Sequence, residues 1–202
     1  MMVKLKRKFN PSPRRNYQEY KPELRMEFDY SCCWCDISEF EAGGVQSLSV
    51  EHYKHKNRFP ELRLDYENLL YACNRCNGHK STYEPSIIQR WMKKVILNPY
   101  LHDYELHLNR HDSTWLGTST MGVFNIERLH LNTKRLIELR KDRGLYDLLL
   151  NKALGDVDKK LDLLEKARAR GPVSLELELQ QSIEESLATA RMLYRRLNRW
   201  QN

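Results

Sequence analysis

Residues 68–80 run Asn68-Leu-Leu-Tyr-Ala-Cys73-Asn-Arg-Cys76-Asn-Gly-His-Lys80 and join a short apolar run directly to a pair of cysteines. The apolar run predicts a strand, and the residues from Cys76 onward are suited to open a helix. Upstream, Gln46-Ser-Leu-Ser-Val-Glu51 alternates polar and apolar residues, which predicts an earlier strand. The order along the chain is therefore strand, loop, strand and helix.

Two CxxC pairs flank this region, and together they offer four sulfur ligands: Cys32, Cys35, Cys73 and Cys76. Four thiolates suit a tetrahedral zinc ion in a closed, structural site. The alternative is two unrelated pairs of buried thiols. A fifth cysteine, Cys33, stands only two positions before Cys35 and would clamp a metal poorly, so we interpret it as a core or interface thiol. An odd cysteine count without a secretory signal favours a reducing compartment, and we expect a cytoplasmic protein.

Composition narrows the class of protein further. The 202 residues are 41% hydrophobic and 30% charged, which is typical of a folded globular chain and excludes a disordered one. No apolar run approaches the roughly 18 residues of a membrane span, so we expect no membrane association. The net charge of +7 favours a polyanionic partner such as nucleic acid, because bound phosphates release counterions.

The chain divides into three regions by composition. Residues 1–22 form a basic, proline-containing arm, for which a phosphate-binding arm and a solvated tail are equally good interpretations. Residues 23–125 mix strand and helix patterns and hold all the cysteines. Residues 126–202 have helical periodicity, with Gly155 as a candidate break and Gly171-Pro172 as a firm stop. Residues 86–97 suit either a helix or the end of a strand.

A constellation of polar residues accompanies the cysteines. Glu51-His52 ends the first strand, Asn68 begins the second, and Asn77 and Lys80 follow the last CxxC pair. Over about residues 30–83 this combination resembles the HNH endonucleases of the ββα-metal superfamily. The resemblance implies an α+β fold, with a zinc-stabilised ββα-metal nuclease core followed by a largely α-helical C-terminal part. It also implies metal-dependent hydrolysis of phosphodiester bonds in DNA.

The resemblance assigns a role to each of these positions. His52 matches the family's general base, since a neutral imidazole accepts a proton from water at neutral pH. Glu51 and Asn77 match the ligands of a catalytic Mg²⁺ or Mn²⁺. Asn68 matches the residue that ties the loop between the strands and helps to orient the histidine, and Lys80 matches a phosphate contact.

The chain departs from the family pattern at two of these positions. Glu51 stands where Asp or His is more usual, and Asn77 stands where the family has its final histidine. Either difference can alter how the catalytic metal is held. Two other histidines are secondary candidates for the site: His55 and His79.

Beyond the motif, Asn98-Pro99, Asp103 and the run from Phe124 to Asn132 resemble the same stretch in defence-associated HNH effectors. These are the Septu-type nuclease subunits, which also occur with some retrons. The subgroup implies an antiphage role and a partner ATPase subunit that controls cutting.

A basic stripe marks the last predicted helix, at positions four residues apart: Arg191, Arg195 and Arg199. The stripe is suited to grip a DNA backbone or an acidic partner surface. It is equally suited to be a solvated face that pairs with Glu184 and Glu185.

The leading hypothesis is a metal-dependent HNH endonuclease that cuts DNA. The alternative is a zinc-stabilised nucleic-acid-binding or adaptor module without cleavage activity. One HNH site hydrolyses one strand at a time, so a double-strand cut implies a homo-oligomer or two successive nicks.

Overall fold

The structure, a computed structural model, describes residues 4–198 and, within them, every side chain except those of residues 170 and 195–198. These residues form two compact units, 4–139 and 140–198. None of the helices in this range has both the length and the apolar character that a bilayer span requires.

The first unit combines short helices with two small sheets. Its helices are α1 (Lys21–Glu27), α2 (Glu39–Ala42), α3 (Asn74–Lys80), α4 (Ile87–Trp91) and α5 (Thr120–Arg128). Its strands are β1 (Leu48–His52), β2 (Leu69–Cys73), β3 (Leu108–His111) and β4 (Thr114–Gly117). Helix α6 (Lys134–Arg170) begins here and continues into the second unit, where α7 (Val173–Asn198) follows. The predicted α+β class, with a ββα core and a largely helical C-terminal part, is confirmed.

Strands β1 and β2 form the centre of the first unit. They pair antiparallel without a bulge, from Leu48 opposite Cys73 to His52 opposite Leu69. Every residue of β2 is buried, because its apolar run packs on both faces. Helix α3 follows β2 with no intervening loop, since the Cys73 sulfur accepts the backbone N–H of Cys76 at 3.4 Å and caps the helix. The helix therefore starts two residues earlier than the sequence pattern indicates.

The basic arm packs into this unit. Residues 4–16 have no regular secondary structure, yet the Arg7 guanidinium is only 11% exposed. Its Nη1 bonds the Glu27 carboxylate at 2.9 Å, and its Nη2 donates to the backbone carbonyls of Tyr66 and Leu69 at 2.7 and 2.8 Å. Arg7 differs from both interpretations of the arm, because its guanidinium bonds groups of its own protein.

Helix α4 occupies a short part of the segment for which helix and strand were both open. Ser86 and Gln89 form a capping box at its start. Three of its apolar side chains, Ile87, Ile88 and Trp91, are exposed to solvent.

The hairpin of β3 and β4 packs against α5 at a glycine. A Cβ on Gly122 would lie 1.7 Å from the carbonyl oxygen of His107, so only glycine permits this approach. Asn125 of the same helix is buried, and its side chain bonds the backbone of Leu97 and Val95 at 2.8 Å.

The second unit is a helical hairpin. Its core is formed by Val157 and Leu164 of α6 with Ile183 of α7. Lys160 also reaches across, donating to the Ser186 hydroxyl at 2.7 Å. Helix α6 runs through Gly155 without a break, and the predicted stop at Gly171-Pro172 is confirmed.

Candidate active site and zinc site

The four cysteines of the two CxxC pairs converge at one buried point. The sulfurs of Cys32, Cys35, Cys73 and Cys76 all lie within 4.8 Å of one another, and Cys35 Sγ is 3.7 Å from Cys73 Sγ. Zn–S bonds of about 2.3 Å give a tetrahedron with edges of about 3.8 Å. The cluster therefore has the chemistry and the spacing of a structural zinc site.

Two separate pieces of chain build this cluster. A tight turn, in which the Asp36 N–H bonds the Cys32 carbonyl at 3.0 Å, brings Cys32 and Cys35 to one side of the backbone. The end of β2 supplies Cys73, and the first turn of α3 supplies Cys76. Zinc would thus fasten the N-terminal turn to the central strand and helix.

Cys33 lies outside this group of four. Its N–H bonds the Tyr71 carbonyl at 2.9 Å, which aligns the turn with β2. Burial raises the pKa of the Cys33 thiol well above its ordinary value, so it stays a neutral thiol. This environment is that of a core side chain and not of a metal ligand.

His52 ends β1 and is buried. Its Nε2 lies 3.0 Å from the backbone carbonyl of Arg63, and its ring meets the edge of the Tyr17 ring with centroids 4.6 Å apart. Because a carbonyl oxygen only accepts, Nε2 carries the hydrogen and the lone pair is on Nδ1. The loop between the strands therefore fixes both the orientation and the tautomer of this imidazole.

Burial also fixes the charge of His52. Desolvation lowers the pKa of the imidazole below its ordinary value, and the cations of Lys56 and Lys80 lower it further. The ring is consequently neutral at physiological pH, which is the form that a general base requires.

Asn68 holds the loop between the strands. Its side-chain oxygen accepts the Lys54 N–H at 2.8 Å, and its amide nitrogen donates to the carbonyls of Lys54 and Leu62 at 3.0 and 3.3 Å. Arg63, which bonds His52, directly follows Leu62. The asparagine thus reaches the histidine through the loop backbone and not by direct contact.

Glu51 faces the opposite side of β1 from His52, toward α3. Its Oε1 accepts a 2.7 Å hydrogen bond from the Lys80 ammonium, which also donates to the His52 carbonyl at 2.8 Å. The two side chains are 9% and 1% exposed, so this ion pair is closed off from solvent. Lys80 was predicted to contact the phosphate. In the structure its ammonium instead donates to Glu51 and to the His52 carbonyl inside the domain.

Asn77 lies on the same side of the sheet as Glu51. Its amide nitrogen is 3.3 Å from the Ser49 hydroxyl, and Ser49 and Glu51 are two residues apart on one face of β1. Because neighbouring residues of a strand point to opposite faces, Glu51 and His52 are separated by the strand itself. A bulge or a twist is needed to bring both side chains to one substrate, and since β1 contains no bulge, the twist of the strand is what remains.

The remaining candidates lie outside these contacts. His55 Nδ1 accepts the Asn57 N–H at 3.3 Å, and the His79 ring is 4.4 Å from that of His130. Among the described residues, neither joins a cluster of metal-ligating side chains. Arg191 is exposed on α7, the Arg195 side chain is not described, and Arg199 lies outside the described residues.

Sequence reasoning missed three residues around His52. Tyr17 precedes His52 by 35 positions, and nothing in its neighbours marks it as part of the site. Lys56 and Arg63 belong to the loop between the strands, whose polar composition indicated only a loop. Their placement depends on how that loop folds back over His52.

Comparison with protein families finds a match for the segment that contains β1, β2 and α3. Residues 32–82 match the family described as HNH endonuclease. The matching segment is named the HNH domain after that family. The HNH domain contains the four clustered cysteines, His52, Asn68 and Asn77.

Beyond the HNH domain, the chain is similar to the Septu protein PtuB of Bacillus thuringiensis. The two are 27% identical over 151 residues, which cover 72% of this chain and 53% of the relative. The chain thus spans about half the length of the curated relative that it matches. The resemblance to Septu-type proteins is confirmed, and no solved structure matches the chain.

Proposed function

We propose that this protein is a metal-dependent endonuclease that hydrolyses phosphodiester bonds in DNA, with residues 23–125 as its nuclease domain. The observation that carries the proposal is the state of His52 inside an HNH domain. Its Nε2 is committed to the Arg63 carbonyl, and its pKa is lowered by burial. An imidazole held in that way presents Nδ1 as a base.

In this mechanism His52 acts on water. Nδ1 accepts a proton as the water oxygen bonds to phosphorus, and the bond from phosphorus to the leaving sugar oxygen breaks. The leaving oxygen keeps the electron pair of that bond and takes a proton from solvent. The imidazolium remains oriented by the Arg63 carbonyl, which accepts from Nε2–H throughout.

Glu51 and Asn77 would hold the catalytic divalent ion. They fit it because a carboxylate and an amide oxygen are the hard donors that Mg²⁺ and Mn²⁺ prefer, and both residues lie on the α3 side of β1. When bound, such an ion neutralises charge on the phosphate. Lys80 then balances the charge of the Glu51 carboxylate, to which it donates at 2.7 Å.

The cysteine cluster has a different role in this proposal. Cys32, Cys35, Cys73 and Cys76 would hold a structural zinc ion, since four thiolates leave no open coordination position. It would keep β2 and α3 in register with the N-terminal turn and so fix where Asn77 lies.

We also propose a role in bacterial antiphage defence with a partner ATPase subunit. The support is the similarity to a Septu protein over 151 residues, which extends well past the HNH domain. The C-terminal helices, residues 126–202, are proposed for partner docking or DNA grip, with Arg191, Arg195 and Arg199 as the basic stripe.

The first test is cleavage of supercoiled plasmid in Mg²⁺ or Mn²⁺ by wild type and His52→Ala. Loss of the base is expected to slow cleavage by about 10²–10⁴-fold. His111→Ala is the matched control, because His111 is an exposed histidine on β3. Nicked and linear products are scored separately, since linear product from single hits would indicate two sites acting together.

Equal cleavage by wild type and His52→Ala would overturn the assignment of the base. DNA binding by a wild-type protein that does not cleave would favour the alternative, a zinc-stabilised binding module. The Lys80–Glu51 pair supports this alternative, because Lys80 already bonds one carboxylate oxygen of the proposed metal site. Repeating the assay with the proposed ATPase subunit distinguishes the two explanations. Cleavage that appears only with the ATPase indicates a nuclease controlled by its partner, and its continued absence indicates a binding module.

A further inference from the structure

Tyr17 brings the N-terminal segment onto the His52 side of the HNH domain. It begins a short 3₁₀ helix, Tyr17–Tyr20, and its ring packs edge-on against the buried His52 imidazole at 4.6 Å. The ring is therefore part of the wall around the proposed base, on the face of β1 away from Glu51.

Lys56 is fixed to this tyrosine. Its ammonium donates a 2.8 Å hydrogen bond to the Tyr17 hydroxyl and lies 4.6 Å from the centre of the ring. That hydrogen bond lowers the pKa of the Tyr17 hydroxyl. Arg63 adds a second cation, with its guanidinium 6.0 Å from the same ring centre.

The loop around His52 has a small excess of cations, with Lys54, Lys56, Arg58 and Arg63 against Glu61, Asp65 and Glu67. The charged groups that act on the His52 ring are Lys56, Lys80 and His55, and each is a cation or becomes one on protonation. Lys80 is already neutralised by Glu51 on the other face of the strand. Within the described part of the chain, no ion pair involves Lys56 or Arg63, and both cations lie beside the Tyr17 ring. Such a loop attracts an anion.

We propose that Lys56, positioned by Tyr17, binds the phosphodiester group that is attacked at His52, with Arg63 as a second contact to the same strand. This inference rests on the proposed nuclease function and names the side chains that hold its substrate. Lys56 would contact a non-bridging oxygen of the scissile phosphate. Tyr17 is a positioning residue, because it acts by holding the ammonium and packing on the imidazole.

The separations are suited to this role. Two steps of 4.6 Å join the His52 ring to the Tyr17 ring and the Tyr17 ring to the Lys56 ammonium. A substrate in place spans a hydrogen bond of about 2.6–3.2 Å from base to water and a near-attack distance of about 3–3.5 Å from water to phosphorus. The two 4.6 Å steps place the Lys56 ammonium at most about 9 Å from the centre of the His52 ring. A phosphate attacked by water at His52 can therefore have an oxygen within hydrogen-bond distance of Lys56.

The test uses the full-length protein and a short fluorescently labelled DNA duplex, with Ca²⁺ replacing Mg²⁺ so that binding is measured without cleavage. Lys56→Gln should weaken binding and reduce the slope of log K against log salt by about one contact. In Mg²⁺ it should lower kcat/KM by about 10²-fold. Lys8→Gln is the charge-matched control, because Lys8 pairs with Asp29 on the surface and contacts neither Tyr17 nor His52.

Tyr17→Phe separates positioning from folding. It keeps the ring on His52 and removes only the hydroxyl that Lys56 holds, so kcat should fall about tenfold while KM changes little. Lys56→Arg should restore part of the activity, since arginine also binds phosphate. Circular dichroism confirms that the variants fold.

Two results would overturn the proposal. One is Lys56→Gln with the salt slope and the cleavage rate of wild type, and the other is an equal effect from Lys8→Gln. The failure of the nuclease function is recognised separately, as wild type that binds DNA and does not cut it. The salt slope still reports on the phosphate contact in that case.

Discussion

At the scale of single residues, the Lys80–Glu51 pair is an ion pair buried inside the HNH domain. Both charges are taken out of water, and each is compensated almost entirely by the other. Removing one partner leaves an uncompensated buried charge, whereas removing both leaves none.

Lys80→Met should therefore lower the free energy of unfolding by about 3–5 kcal/mol. The double variant Lys80→Met/Glu51→Gln should be more stable than Lys80→Met alone, because it no longer buries a lone carboxylate. Urea unfolding of the two variants and wild type measures this difference. A loss below about 1 kcal/mol for Lys80→Met, as at an exposed pair, would contradict the burial of these charges.

The sequence predicted some of these residues better than others. The spacing of the cysteines predicted the four-sulfur cluster, and the resemblance to HNH endonucleases implied the loop that Asn68 ties. For Lys80 the sequence indicated a cation near the site. In the structure its ammonium is buried and pairs with Glu51. No pattern in the sequence predicts that a single lysine is buried. Tyr17 was beyond prediction, since its contact with His52 depends on the path of the whole arm.

At the scale of elements, two glycines show how local packing decides whether a substitution by alanine stabilises or destabilises the protein. Gly122 of α5 lies against the His107 backbone, while Gly78 of α3 has no atom within 4 Å of the place where its Cβ would be. Both are helical, so alanine has the same intrinsic advantage at each.

Gly122→Ala should destabilise the protein by about 1–3 kcal/mol, because the β3–β4 hairpin must move away from the helix. Gly78→Ala should stabilise it by about 0.5–1 kcal/mol through the lower entropy of the unfolded chain. Thermal or urea unfolding of the two variants gives the comparison. Destabilisation by both, to the same extent, would show that the close approach at Gly122 is not what matters.

The elements themselves were predicted unevenly. β1, β2 and the helices beyond residue 133 follow clear periodicities, and the structure has them within a few residues of the expected bounds. β3 and β4 were not predicted: the stretch from Tyr104 to Thr120 has some alternation and turn residues, but most residues of the two strands are exposed or half-buried, so the pattern does not decide between elements. Their position depends on tertiary contacts with α5.

At the scale of the whole molecule, the cysteine cluster joins parts of the chain that are distant in sequence. Cys73→Ser should yield protein with less than one zinc per chain and a large loss of thermal stability, because metal binding and folding are coupled. Cys33→Ser should retain the metal, since Cys33 is not one of the four clustered sulfurs. Metal analysis and thermal melts test the pair, and equal zinc loss in both would refute the assignment of ligands.

Arg7 has a consequence for how the protein is made. Its partners all follow it in the chain: Glu27, the carbonyls of Tyr66 and Leu69, and the Tyr100 ring at 3.8 Å. Those contacts exist only after Tyr100 has been synthesised, by which time every clustered cysteine and His52 has also emerged. Arg7 therefore takes up its full set of contacts only after synthesis has passed Tyr100, when the residues of the candidate site are already present.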